Sequence, residues 1–292
     1  MKNKLYSAIK ESRHGSELLP VMLYDAVMHD LYLHWHEEME CIYIEHGEGL
    51  IYVNLKPYPI RAGDFLLLLP EDLHSAIANE QQPLHCHSVV FSLELLRGAS
   101  LDASMINYLI PLLNHSVQVM PVLNQSVAGY REIVELHHKL RQVMNAQATG
   151  YELEIKAILL LIIANLYKNK YIQHKRELVP DNHKIEKLKN VISYIHEHYK
   201  NKLSVHTLSQ IAGYSDYHFI RFFKQNTGFT CIQYINRIRL DEAARLLTHT
   251  DLSVTEVAFE SGYDNVSYFI RTFKKLHNAS PDKYRKEFLT DY

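Results

Sequence analysis

The chain has 292 residues, 47% hydrophobic and 22% charged, with a net charge of −2; this is the length of about two domains and an ordinary globular composition. The start, MKNKLYSAIKESRHG, has no apolar core of the kind a signal peptide needs, and the longest apolar run, Ala157 to Ala164, falls far short of the roughly 20 residues that span a bilayer. Three widely spaced cysteines with no CxxC pair fit free thiols in a reducing cytoplasm, and no membrane partner is expected.

Residues 1 to about 20 show no clear period and read as an arm ending at Pro20. From Leu31 to about Phe91 short strands are broken by turns. Leu31 to Glu45 is strand-like, and His46 to Gly49 is a turn. Leu50 to Leu55 is a strand stopped by Lys56-Pro57. Ala62-Gly63-Asp64 turns the chain into the apolar run Phe65 to Leu69, which ends at Pro70. His85 to Leu93 is a further strand. Such punctuation predicts a sandwich or small barrel.

This region carries one chemical constellation. His34, His36 and Glu40 stand as HWHEEME, with Gly47 seven residues beyond Glu40. On one continuous strand, residues two apart share a face, so these three would project together into the barrel. Farther on, GDFLLLLPEDLH brings in His74. The pair resembles the two cupin motifs, in which three histidines and a glutamate hold a divalent metal. The first motif has the family spacing; the second lacks the usual glycine between Pro70 and His74. Imidazole and carboxylate suit zinc, manganese or iron. The favoured expectation is nevertheless an effector pocket without a metal or other cofactor, contacted by His34, Trp35, His36, Glu40, Tyr43 and His74. Strict alternation points the rings of Trp35 and Tyr43 away from His34 and His36. Aromatic faces beside hydrogen-bonding groups would suit a carbohydrate-like ligand. Merely structural histidines are the third reading.

Beyond Ser104 the period becomes helical. Arg131 to Met144 puts Ile133, Leu136, His137, Leu140 and Val143 on one face. Tyr151 to Tyr167 is apolar nearly all round and must be covered on several sides. Residues 174 to 182 are polar, carry Pro180, and read as the linker. Ile185 to Tyr199 is amphipathic and opens a second domain. From residue 183 onward there are 16 Lys and Arg against 12 Asp and Glu, whereas the rest of the chain has 15 against 21. A mildly basic C-terminal half suits a phosphate backbone.

The last hundred residues contain one pattern twice. VHTLSQIAGYSDYHFIRFFKQNTG runs from Val205 to Gly228, and VTEVAFESGYDNVSYFIRTFKKLHN from Val254 to Asn278. Gly213-Tyr214 aligns with Gly262-Tyr263. After one extra residue in the second turn, Phe219, Arg221, Phe223 and Lys224 align with Phe269, Arg271, Phe273 and Lys274. Each copy reads as a helix ended by glycine, a capping residue (Ser215; Asp264 or Asn265), and a second helix with two phenylalanines on its buried side. The basic residues fall off that stripe, as they do in a helix-turn-helix laid into a major groove. Thr230 with Gln233 and Ser253 with Glu256 have capping-box spacing. Thr230 opens a long connector to about Leu247, and Ser280-Pro281 starts a last helix.

Residues 184 to 288 resemble the DNA-binding domain of AraC-type transcription regulators. The likeness is carried by GYDNVSYFIRTFKK, by the connector YINRIRLDEAARLL, and by the ending ASPDKYR, Ala279 to Arg285. Asn278 departs from the family's glycine, and asparagine is the next best residue at positive φ. The resemblance implies an α+β chain. A cupin-like β-barrel with following helices forms the sensor and dimerisation domain, residues 1–175. Residues 176–183 link it to an all-α domain, 184–292, with two helix-turn-helix motifs. It implies base contact by Tyr217, Ile220 and Arg221 in one head and by Val266, Ser267, Ile270 and Arg271 in the other. His218, Lys224 and Lys274 are expected on phosphates. The partners implied are double-stranded DNA, a small-molecule effector such as a sugar, and a second copy of the chain. The rival reading is a metal-dependent cupin enzyme fused to a DNA-binding tail; the favoured reading needs no catalytic residue.

Overall fold

A computed structural model of the protein describes residues 15–28, 30–79, 81–98, 101–174 and 182–290. The expected linker and most of the expected N-terminal arm lie outside them. The chain divides into two compact units between Asn182 and His183.

The first unit is built of β1 (Val21–Met28), β2 (Asp30–His34), β3 (Met39–His46), β4 (Glu48–Val53), β5 (Lys56–Arg61), β6 (Phe65–Leu68), β7 (His74–Ala78) and β8 (Leu84–Phe91). A 3-10 turn (Leu93–Leu96) and a π turn (Met105–Leu109) then lead into α1 (Ile110–Leu113), β9 (Val117–Val119) and β10 (Val122–Leu123). The long helices α2 (Tyr130–Ala146) and α3 (Tyr151–Lys168) and the short β11 (Ile172–His174) complete it. Two sheets face each other, one in the order β1-β8-β3-β6-β10 and the other β2-β7-β4-β5. Between them Ile42, Ile44, Ile51, Val53, Ile60, Leu66, Leu68 and Cys86 form an aliphatic interior. Alternation along β3 sends Met39, Cys41 and Tyr43 the other way, into a second core under α2 and α3.

Two strand expectations need correction. Leu31 to Glu45 is not one strand: β2 ends at His34 and β3 begins at Met39, with a bend between. The two strands belong to different sheets, so the intervening residues turn a corner. Lys56-Pro57 does not stop a strand either. Asn54 and Leu55 take positive φ, 50° and 67°, and the chain returns as β5, which contains Pro57 and Pro59. That is permitted because β5 is an edge strand, where a missing N–H breaks no ladder on the open side.

The buried face of α3 carries Ile155, Ile158, Leu159, Ile162, Ile163 and Leu166. Its other side still exposes Leu153, Ala157, Leu160, Leu161 and Ala164, spaced to form one apolar stripe.

The second unit is helical: α4 (Asn182–His198), α5 (Val205–Ala212), α6 (Asp216–Thr227), α7 (Cys231–His249), α8 (Val254–Glu260), α9 (Val266–His277) and α10 (Pro281–Thr290). Ser204, Ser215 and Asn265 cap α5, α6 and α9 with their side chains. Both capping boxes, at Thr230 and Ser253, are closed in both directions. Gly262, at φ 89°, lies where a Cβ would meet the Lys200 backbone at 2.8 Å, so both conformation and space demand glycine. Asn278 takes the left-handed C-cap at φ 55°, matching Gly228 at φ 77°.

Candidate nucleic-acid interface and sensor site

In each helical pair the second helix is pinned by its phenylalanines. Phe219 and Phe223 of α6, and Phe269 and Phe273 of α9, have no exposed surface. With that side fixed, Tyr217, His218, Ile220, Arg221 and Lys224 are all exposed on α6, and Ser267, Ile270, Arg271 and Lys274 on α9. Exposed isoleucines at equivalent positions, Ile220 and Ile270, are costly to leave in water and suit a thymine methyl. Val266 differs from the expected set. As the first residue of α9 it is half-buried against the domain core.

Each arginine rests on a tyrosine. The Arg221 guanidinium lies 5.8 Å from the Tyr217 ring centre, and that of Arg271 lies 5.5 Å from Tyr268. Tyr268 was absent from the sequence-derived set. Its signal was available, since it sits three residues before Arg271 on the same helix. Its hydroxyl also accepts a 3.4 Å hydrogen bond from Asn236 of α7.

α7 itself is anchored by Tyr234, buried to 1% exposure against Phe223. Arg239 of α7 donates to the carbonyls of Tyr199 and Asn201 at 2.7 and 2.9 Å. Arg285 of α10 donates to those of Leu247 and Leu252 at 3.0 and 2.5 Å. The arginines that do not face outward therefore serve as struts, a division that sequence alone does not make.

In the barrel, His34 from β2, His36 from the corner and His74 from β7 converge. Their ligand nitrogens lie within 4.8 Å of one another, and all three are buried. The His34 and His74 ring centres are 4.0 Å apart, those of His36 and His74 5.2 Å. Glu40, from the opposite sheet, places Oε2 3.2 Å from His36 Nε2 and 3.6 Å from His74 Nε2. Its other oxygen accepts a short hydrogen bond from the Ser88 hydroxyl. Burial raises the Glu40 carboxyl, but the His36 hydrogen bond, the charges of His36 and His74, and Ser88 outweigh it and hold the group at about 2. Burial, with His34 and His36 adding to it, pushes His74 well below its usual value.

The outer edges of two imidazoles face main-chain carbonyls. His36 Nδ1 lies 3.0 Å from the Glu38 oxygen and His74 Nδ1 lies 2.7 Å from that of Asp72. A proton on each Nδ1 would satisfy these contacts and turn Nε2 inward. The turn before His74 lacks the usual glycine, and Glu71 takes the positive φ instead, at 68°. Its N–H donates to the His36 carbonyl at 2.8 Å. The structure thus brings together His34, His36, Glu40 and His74. Tyr43 is not with them: it packs against His138 under α2, 5.1 Å between ring centres. Trp35, at 5% exposure, is a buried wall residue.

A chain with paired helix-turn-helix units and a sheet sandwich holding a buried polar cluster belongs to the DNA-binding regulators with a ligand-binding domain. Family comparison agrees. Residues 24–163 match the AraC-like ligand binding domain, and residues 208–287 match a helix-turn-helix domain family. The chain belongs to the AraC-type transcription regulators. It is similar to the uncharacterized HTH-type transcriptional regulator YdeC of Bacillus subtilis, 25% identical over 283 residues, 94% of each chain. It is also similar to the HTH-type transcriptional activator RhaS of Salmonella schwarzengrund, 27% identical over 259 residues, 87% of each. Among solved structures, the DNA-binding domain of AdpA in complex with a target DNA is 31% identical over 36% of this chain and 94% of that one, with a TM-score of 0.35. ToxT of Vibrio cholerae is 16% identical over 91% of this chain and 97% of that one, with a TM-score of 0.44.

Proposed function

We propose that this transcription regulator senses a small polar metabolite, a carbohydrate or a relative of one, at the end of the barrel marked by His34, His36, Glu40 and His74. One observation carries the reading: four polar side chains lie buried in an interior otherwise made of Ile, Leu, Val and Ala. Buried polar groups without a purpose are costly, and imidazole and carboxylate suit a hydroxyl-rich ligand lying across the cluster. The ligand must prefer one arrangement of the protein over another for DNA binding to respond. Arg221 and Arg271 read bases, Tyr217, Ser267, Ile220 and Ile270 flank them, and His218, Lys224 and Lys274 hold phosphates.

The chain acts as a homodimer through the apolar stripe of α3, Leu153, Ala157, Leu160, Leu161 and Ala164, which a lone chain leaves in water. It works in the cytoplasm, where its buried thiols stay reduced. A thermal-shift screen of sugars and related metabolites on the full chain tests the sensor. A hit that raises the melting temperature in the wild type, but not in His34→Gln, supports it; no hit across the carbohydrate set removes the ligand class. Sedimentation of Leu161→Glu tests the dimer, which is discarded if the variant sediments as the wild type does.

A further inference from the structure

We propose that His34, His36, His74 and Glu40 form a binding site for a divalent transition-metal ion of the zinc class, and that the ion ties the two sheets of the barrel together. This deepens the sensor reading, and rests on it only for the location of the site.

The spacing separates an ion from an organic ligand. Three imidazole nitrogens within 4.8 Å of one another leave no room for a sugar ring between them. Donors around one zinc ion, each about 2.1 Å from it, sit roughly 3.4 Å apart in a tetrahedral shell. Small side-chain shifts would therefore close the set on an ion. A carbohydrate could still lie over the cluster, so both ligands are compatible with one site.

Orientation points the same way. His36 and His74 are each held at Nδ1 by a main-chain carbonyl, the arrangement that fixes imidazole ligands from behind. Glu40 is held at one oxygen by Ser88, with the other 3.2 and 3.6 Å from the two Nε2 atoms. His74 Nε2 is buried and has no hydrogen-bond partner among the described residues. Three purely structural histidines would not leave such an atom facing their common centre, since buried polar atoms are normally satisfied.

The donor set is mixed imidazole and carboxylate, which suits zinc, manganese or iron more than calcium or magnesium. Glu38, 3.7 Å from His36 Nδ1, also lines a groove with Glu17, Glu37, Glu71 and Glu94. A groove of that sign attracts a cation and repels an anion. The ligands come from both sheets: β2 and β7 on one side, β3 on the other. Binding therefore joins strands that otherwise meet only through side-chain packing.

The full chain, carrying no histidine tag, is stripped with a chelator and titrated with zinc chloride or cobalt(II) chloride. One ion per chain, a melting temperature raised by several degrees, and a cobalt ligand-field spectrum are expected. Zinc X-ray absorption on the wild type should show histidine scattering, a readout that needs no variant. His34→Gln and Glu40→Gln should each weaken zinc binding by about tenfold or more, and His87→Gln, outside the cluster, should not. With 19 histidines in the chain, adventitious binding is the competing outcome. Equal affinity in the wild type and His34→Gln, or no stoichiometric ion in the wild type, overturns the proposal. If the ion fails to bind but a metabolite shifts melting only when His34 is intact, the metal falls and the sensor stands. If the ion binds and no metabolite does, the site stands and the carbohydrate falls.

Discussion

The two reading heads share a scaffold and differ in how they hold their arginine. In both, paired phenylalanines four residues apart are fully buried and the base-facing arginine is exposed. In α6 the arginine leans on Tyr217, which is 72% exposed. The equivalent of Tyr217 in α9 is Ser267. There the arginine leans on Tyr268, 40% exposed and linked to Asn236 of α7. Tyr268 corresponds to His218, which instead stacks on Tyr214, 4.5 Å between ring centres. Duplication preserved the fold of the head and let its outward chemistry drift. The second head has the better-supported arginine, so less side-chain freedom is lost when it reaches a base.

The heads differ inside as well. Thr227 ends α6 with its hydroxyl donating to the Phe223 carbonyl at 2.8 Å. Its counterpart His277 packs on Phe273 and Tyr284, with Nε2 buried and lacking a hydrogen-bond partner. Burial, aided by Arg237, lowers the His277 pKa to about 4.

The largest expected effect would test the shared scaffold. Phe223→Ala and Phe273→Ala should each cost about 3–5 kcal/mol in denaturant unfolding; a loss below 1 kcal/mol in either would show that its head is not built around that ring. Next comes base reading. Arg271→Ala should weaken the specific site by about 1–3 kcal/mol with little change on random DNA. Tyr268→Leu should do the same more weakly, by about 0.5–1 kcal/mol. Equal losses on specific and random sequence would move both residues to the phosphate set.

Acid should separate the heads further. A histidine whose folded pKa lies below 6.5 contributes full stability above that pH. The contribution is lost as pH falls toward the folded value, because the unfolded chain takes the proton first. The second head should therefore lose roughly 1 kcal/mol between pH 7 and pH 5, and His277→Thr should flatten the slope. An unchanged acid slope in that variant would clear His277. The smallest effect concerns the caps: Asn278→Gly should stabilise by about a few tenths of a kcal/mol and Gly228→Asn should cost about as much. Opposite signs in chemical denaturation would show that the asparagine side chain has a role of its own.

Much of the helical domain was legible because its signals are local. Caps at Ser204, Ser215 and Thr230, the left-handed residue at 278 and the phenylalanine spacing each depend on neighbours within four positions. The barrel was read less well. Leu31 to Glu45 alternates like one strand, and nothing nearby reveals that the chain changes sheets at His36. The edge position that tolerates Pro57 and Pro59 is equally non-local. His34, His36, Glu40 and His74 were nominated together on motif, while the alternation argument assumed a continuous strand that does not exist. The corner brings them together all the same.

Sequence alone determined the two helical pairs, their stops and starts, and which residues could face DNA, because helix periodicity and capping are written within a few residues. Tertiary structure decided which arginines face outward and which brace carbonyls, which tyrosine supports Arg271, and that three imidazoles and one carboxylate meet across two sheets. Those outcomes depend on contacts between residues far apart in the chain, and local pattern carries no record of them.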